Sequence, residues 1–196
     1  MKSSIPSEQS NRLEEIKNAQ EKVFDSWNDY WFDYSALDTW QFWVNTFIII
    51  IPLIILYFFI DRKRIFLLSF FGFNIHIWSA YLDGMATRAN YLEYPYKVIP
   101  LFPIHFGMDT SLVPVLFIFL YQWTIIKKKN FYLYSLLLIA FISFIVKPLS
   151  AAHHLFQLNK GTNYFHIFMG YIIITLISKG ITNLFLYLHI KENPTN

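Results

Sequence analysis

Five apolar runs, each long enough for a helix to cross a hydrocarbon core, constrain this chain more than any other feature. They cover Trp40–Ile60, Ile65–Leu82, Ile104–Ile126, Phe131–Leu149 and Phe165–His189. A bilayer core is about 30 Å thick, and a helix needs ~20 apolar residues to span it. A soluble domain of this size would bury one core behind amphipathic elements, whereas these runs leave no room for a wetted face. Backbone in lipid must satisfy its own hydrogen bonds, so such runs predict helices. The expected fold is all-α: a polytopic transmembrane bundle of about five spans over residues 40–190. An extracytoplasmic tail (1–39) precedes it and a short cytoplasmic tail (191–196) follows.

Composition agrees, with 55% hydrophobic and 20% aromatic residues, and the length suits one bundle rather than two domains. The net charge of +3 has a local cause. Arg62, Lys63 and Arg64 form one cluster and Lys127, Lys128 and Lys129 another, each between two apolar runs. No basic face interleaves with exposed aromatics, so nucleic acid is not an expected partner. The chain has no cysteine, which excludes disulfides, thiolate metal sites and a cysteine nucleophile. The first run starts too late for a signal peptide and lacks a small-residue cleavage site after it, so it is expected to stay as a span.

The two basic clusters and Lys191 fall on one side of the bundle. Arg88, Lys97, Lys160 and Lys22 fall on the other. The positive-inside rule then puts the N-terminus outside and the C-terminus in the cytoplasm of a plasma membrane. Residues 1 to about 10 read as disordered, with Ser, Pro, Gln and Asn and little to bury. From Asn11 to Leu37, Phe24, Trp27, Trp31 and Tyr34 recur at helical spacing, with Asp25, Asp29 and Asp33 on another side. An amphipathic interfacial helix is the expectation, with a docking site for a partner protein as the alternative.

Asp83 to Pro103 is the longest connector. Pro95, Pro100 and Pro103 bar a regular helix, yet the segment is too apolar for a solvated loop. It is expected to lie as a lid across the outer mouth of the bundle, shielded by protein. Pro52 and Pro114 predict kinks within spans. No internal or inverted repeat of the transporter type is present.

Ionisable groups in spans are costly and so become functional candidates. Asp109 lies about five residues into span three, roughly 7 Å deep at 1.5 Å per residue. Lys147 near the end of span four and Asp83 near the end of span two share that depth. An ion pair between Asp109 and Lys147 is the expected arrangement. Its alternatives are a snorkelling Lys147 beside an Asp109 capped by Thr110 or Ser111, and a functional or proton-binding carboxylate. His105 precedes Asp109 by one turn. Ser143, Lys147, Ser150 and His154 form a polar stripe on span four; His76, Ser79 and Asp83 form another on span two, with Asn74 nearby.

The candidate functional polar cluster is therefore Asp83, Asp109, Lys147, His76, His105 and His154. Such groups could bind zinc or relay protons, but no HExxH or tight ligand spacing occurs, and His153 and His154 point to different sides. Interface histidines bonded to water or backbone explain the pattern equally well, so no metal and no cofactor is expected. Lys179, deeper in span five, is expected to snorkel; a hydrogen-bonded contact with span three near Gln122 is the alternative. No GxSxG and no glycine-rich phosphate loop is present, and enzymatic activity is not expected.

Several stretches carry a resemblance. They are Asp38-Thr39-Trp40-Gln41-Phe42-Trp43, Leu56 to Arg64, Gly72-Phe73-Asn74-Ile75-His76-Ile77-Trp78, Tyr94 to Pro100, Asp109 to Trp123, and Leu155 to Gly161. The chain from Asp25 to Asn183 resembles an uncharacterised family of small multi-span membrane proteins from spore-forming Gram-positive bacteria. The resemblance implies topology and cell type and supplies no catalytic residues. The expected function is a non-enzymatic membrane component that works through a membrane protein partner or as a homo-oligomer in the lipid bilayer. The alternative is a small proton-coupled transporter or permease using Asp109, His76 and Lys147.

Overall fold

A computed structural model describes residues 5–100 and 107–192. They form six helices and almost no sheet. Helix α1 covers Ser7–Tyr34, α2 Trp40–Phe59, α3 Ile65–Arg88, α4 Met108–Ile126, α5 Phe131–Ala152 and α6 Tyr164–Glu192. Helices α2 to α6 are each long and apolar enough to cross a membrane. The protein is a multi-pass helical membrane protein. Its outward-facing Phe59 is 69% exposed and Phe66 89%, a surface that only lipid solvates without penalty.

Local sequence explains where the helices start and stop. Thr39 Oγ1 accepts the Phe42 N–H at the head of α2, and Asn130 Oδ1 accepts the Leu133 N–H at the head of α5, each satisfying one orphan donor. At the other end of α2, Gln122 of α4 reaches across: its Nε2 donates to Phe59 O (3.0 Å) and its Oε1 accepts from Asp61 N (2.7 Å). Asp61 also pairs with Arg64 in the basic turn that leads into α3. Residues 7–10, read as disordered from composition, are already helical, starting just after Pro6, a residue suited to the entry of a helix. Helix α3 runs past Leu82 to Arg88, so Asp83 sits inside a helix rather than at the start of a connector.

Two prolines reshape their helices. Pro114 and Pro148 lack an N–H, and each ring crowds the carbonyl four residues earlier, on Thr110 and Phe144. The chain responds identically at both. A π turn over Met108–Leu112 precedes Pro114, with the Val113 N–H reaching back five residues to Met108 O. A second over Ile142–Val146 precedes Pro148, with the Lys147 N–H reaching Ile142 O. Pro52, by contrast, leaves α2 continuous.

The core lies between α3, α4, α5 and α6. Leu68, Phe71 and Ile75 of α3 meet Val113, Phe117, Ile118 and Tyr121 of α4, with Phe131, Ile139 and Ile142 of α5 and Ile174 of α6. Gly72 permits the approach of α3 to α4: a Cβ there would fall 2.3 Å from Ile118 Cδ1. Helix α2 is peripheral. It docks on the first π turn, where Ser111 Oγ donates to Ile49 O at 2.7 Å. Between lipid-solvated helices packing rather than water exclusion holds such contacts, which is why small residues sit at them.

Two connectors meet at one end of the bundle. Leu92–Glu93 (β1) and Gln157–Leu158 (β2) pair antiparallel, Leu92 opposite Leu158. The proline-containing segment next to β1 is stitched to α1 and α2. Trp31 Nε1 and Ser35 Oγ both donate to Lys97 O (2.8 and 3.1 Å), the Lys97 N–H donates to Ser35 Oγ (2.9 Å), and Asn45 Nδ2 donates to Tyr96 O (2.9 Å). These bonds satisfy backbone that no helix or sheet would. The end of helix α1 thus holds this segment in place. Residues 101–103 of the expected lid lie outside the described residues.

Candidate functional site

At the end of the bundle where β1 and β2 pair lies a cavity of about 400 Å³, lined by α3, α4, α5 and α6 and by the connectors around Tyr91 and Lys160. Its rim is exposed and includes Leu82, Tyr91, Lys160 and His166; its floor is buried and holds Ser79, Asp83, Asp109, Lys147 and Tyr171. Three of the expected cluster residues, Asp83, Asp109 and Lys147, therefore meet in one chamber. The π turns help put them there: Asp109 lies within the first, and Lys147 follows directly on the second. π turns frequently mark functional positions because they re-aim side chains out of helical register.

Asp109 and Lys147 do not form the expected ion pair. Among the described residues no salt bridge within 4.0 Å links them, and each turns to a tyrosine. Tyr171 OH donates to Asp109 Oδ1 at 3.4 Å. Lys147 Nζ donates to Tyr94 OH at 3.5 Å and lies 4.6 Å from the Phe156 ring centroid. Tyr94 OH in turn donates to Asp83 Oδ1 at 2.5 Å. Asp109 Oδ2 and Ser79 Oγ are buried without a hydrogen-bond partner among the described residues. Burial, and after it the carboxylates of Asp83 and Asp109, pushes the Tyr94 hydroxyl well above its usual 10. Tyr94 is thus a neutral donor at every physiological pH.

The histidines separate. His76 does not enter the cavity. Its Nδ1 lies 3.3 Å from the Asp109 backbone oxygen. That carbonyl has lost the donors a helix would offer, because the Val113 N–H turns to Met108 O and Pro114 has none. A carbonyl only accepts, so the contact places a hydrogen on Nδ1. His154 leaves the span-four stripe: it follows the end of α5 with φ 59° and is exposed. His105 lies outside the described residues. No group of three or more His, Asp or Glu able to hold a metal occurs among the described residues.

Lys179 does not snorkel. It donates to Tyr121 OH (2.7 Å) and Asn183 Oδ1 (2.8 Å), and stands 4.1 Å from the Tyr121 ring centroid. The contact between spans three and five therefore runs through Tyr121, while Gln122 caps α2. Tyr121, Phe71 and Phe131 form a mutual aromatic cluster with centroids 4.8 to 5.5 Å apart. It fills the bundle below the cavity.

Tyr94 and Tyr171 were absent from the expected cluster. Tyr171 had a signal: Tyr171, Thr175, Ser178 and Thr182 recur at i, i+4, i+7 and i+11, a polar stripe in an apolar helix, and all are buried. The fold and site define a class: a multi-pass helical bundle with a charged cavity at one end. Comparison with protein-family models, curated proteins and solved structures gives no match.

Proposed function

We propose that the protein is a non-enzymatic component of the plasma membrane that holds a small ligand in the cavity and passes on its occupancy through α1. One observation carries this reading. Opposite charges are buried around a 400 Å³ space without pairing to each other, an arrangement that costs stability unless something fills it. From Asp83 a continuous route leads through Tyr94 and along the chain to Lys97, and from there to Trp31 of α1 and to Ser35, which caps it. Helix α1 has no buried residue and offers an aromatic surface to a partner protein. The aromatic layer around Tyr121 supports holding over conduction. The basic turns at 62–64 and 127–129 support a cytoplasmic placement of that end, with the N-terminus outside. Resemblance to the membrane proteins of spore-forming Gram-positive bacteria supports the cell type.

Gly170 lines the cavity, and a Cβ there would meet no atom within 4 Å. Gly170→Trp should therefore fill the space without touching the charges. Native mass spectrometry should find a small-molecule adduct on the wild type that this variant lacks. Bare wild-type protein would overturn the ligand reading, and solute or proton flux in liposomes would favour a permease using Asp109, His76 and Lys147.

A further inference from the structure

The chemistry of the cavity floor points to a ligand class, an inference that rests on the ligand-holding reading. Two carboxylates, Asp83 and Asp109, face one ammonium, Lys147. Asp109 has no cation within 4.0 Å among the described residues, because Lys147 turns to Tyr94 and Phe156. The chamber's two buried atoms without partners, Asp109 Oδ2 and Ser79 Oγ, both accept hydrogen bonds. An anionic ligand would meet two carboxylates, and a neutral apolar one would leave Asp109 Oδ2 unsatisfied. A group that brings one positive charge and several N–H donors answers both deficits. The remaining wall is apolar, formed by Leu82, Ile167 and Ile174.

We infer that the cavity takes an organic ammonium group, its N–H donors on Asp109 Oδ2 and Ser79 Oγ and its apolar body against Leu82, Ile167 and Ile174. Asp109 carries the charge recognition. Lys147, held off by Tyr94 and Phe156, leaves the Asp109 oxygen open. The exposed Lys160 and His166 at the rim suit an anionic group further along the same molecule. Two sources share this chemistry: the headgroup of an ethanolamine lipid and a free amine.

The test compares n-hexylamine with n-hexanol, a neutral molecule of similar size, titrated calorimetrically into the full chain in uncharged maltoside micelles. The amine should bind at least about tenfold tighter, the effect of one charge-assisted hydrogen bond in a buried site. Asp109→Asn should bring the two within about threefold. Doping the micelles with phosphatidylethanolamine should abolish amine binding if the lipid is the natural source. Phosphatidylcholine, which has no N–H, should not compete. Amine binding that ignores both lipids assigns the site to a free amine. Equal binding of amine and alcohol to the wild type would overturn the ammonium inference and leave the cavity reading standing. No binding of either, in micelles free of competing amine, would also overturn it; the cavity reading falls separately, on bare wild-type protein in native mass spectrometry.

Discussion

Tyr94→Phe removes one oxygen from the centre of the site and leaves its packing intact. The ring keeps its place 5.5 Å from Phe156, and the residue is only 1% exposed, so the change is confined to hydrogen bonding. What is lost is a 2.5 Å bond to the Asp83 carboxylate and the acceptor for Lys147. A hydrogen bond to a charged group contributes about 1.5–3 kcal/mol net, and the buried carboxylate it leaves behind sets the upper part of that range. Taking about 2 kcal/mol, and about 2–4 °C per kcal/mol for a chain of this length, the melting temperature in detergent should fall by roughly 4–8 °C. Tyr91→Phe, at an exposed neighbour on the same rim, serves as control and should shift it by less than about 1 °C. Asp83→Asn in the Tyr94→Phe background should cost less than in the wild type, since the bond between the two is already gone. A Tyr94→Phe shift no larger than that of Tyr91→Phe would refute the proposed role of this bond.

Three further outcomes follow from other parts of the fold. Gly72→Ala forces Ile118 aside and should cost about 1–3 kcal/mol; Ile118→Ala, which removes both clashing atoms, should cost less in that background than alone, and simple additivity would mean the helices do not meet there. Burial holds the Lys97 ammonium down to about 8 against an ordinary 10.5, so the unfolded chain binds the extra proton between these values and stability should rise with pH from 8 toward 10.5. The Trp27 ring, 3.5 Å from Lys97 Nζ, should report the same titration by fluorescence, and Lys97→Met should abolish it. Single cysteines at Asn90 and Asn130 should be labelled in opposite senses by an impermeant thiol reagent on intact cells, Asn90 reactive and Asn130 protected; the reverse would invert the orientation.

Span number was legible because a run of apolar residues long enough for lipid has no other use in a chain of this composition. Span ends were not. Helix α3 continues through Asp83 because Tyr94, 11 residues further on, supplies a donor to its carboxylate, and no window around Asp83 contains that information. Depth could be read by counting from the end of a run, so Asp83, Asp109 and Lys147 were correctly levelled. Their azimuth could not, because each π turn shifts the register of what precedes it. The expected ion pair failed for that reason, whereas the span-four stripe stops short of His154 because the helix ends at Ala152. Pro148 stood in plain view as the counterpart of Pro114, five residues after Ser143 as Pro114 is after Asp109. Snorkelling was the natural expectation for Lys179 when only its own helix is considered; the hydroxyl of Tyr121, 58 positions away, decides otherwise.

Water should enter the cavity from its exposed rim down to Ser79 and no further. The chain has no native cysteine, so Ser79→Cys and Thr175→Cys can be compared directly for reaction with a small charged methanethiosulfonate, which needs a hydrated thiolate. Ser79 lines the cavity, whereas Thr175 lies in the packed interior with its hydroxyl bonded to Tyr171 O at 2.7 Å. Ser79→Cys should react at a measurable rate that Gly170→Trp suppresses, while Thr175→Cys stays inert. An unreactive Ser79→Cys, or a Thr175→Cys that reacts as fast, would contradict a hydrated cavity floored by Ser79, Asp83 and Asp109.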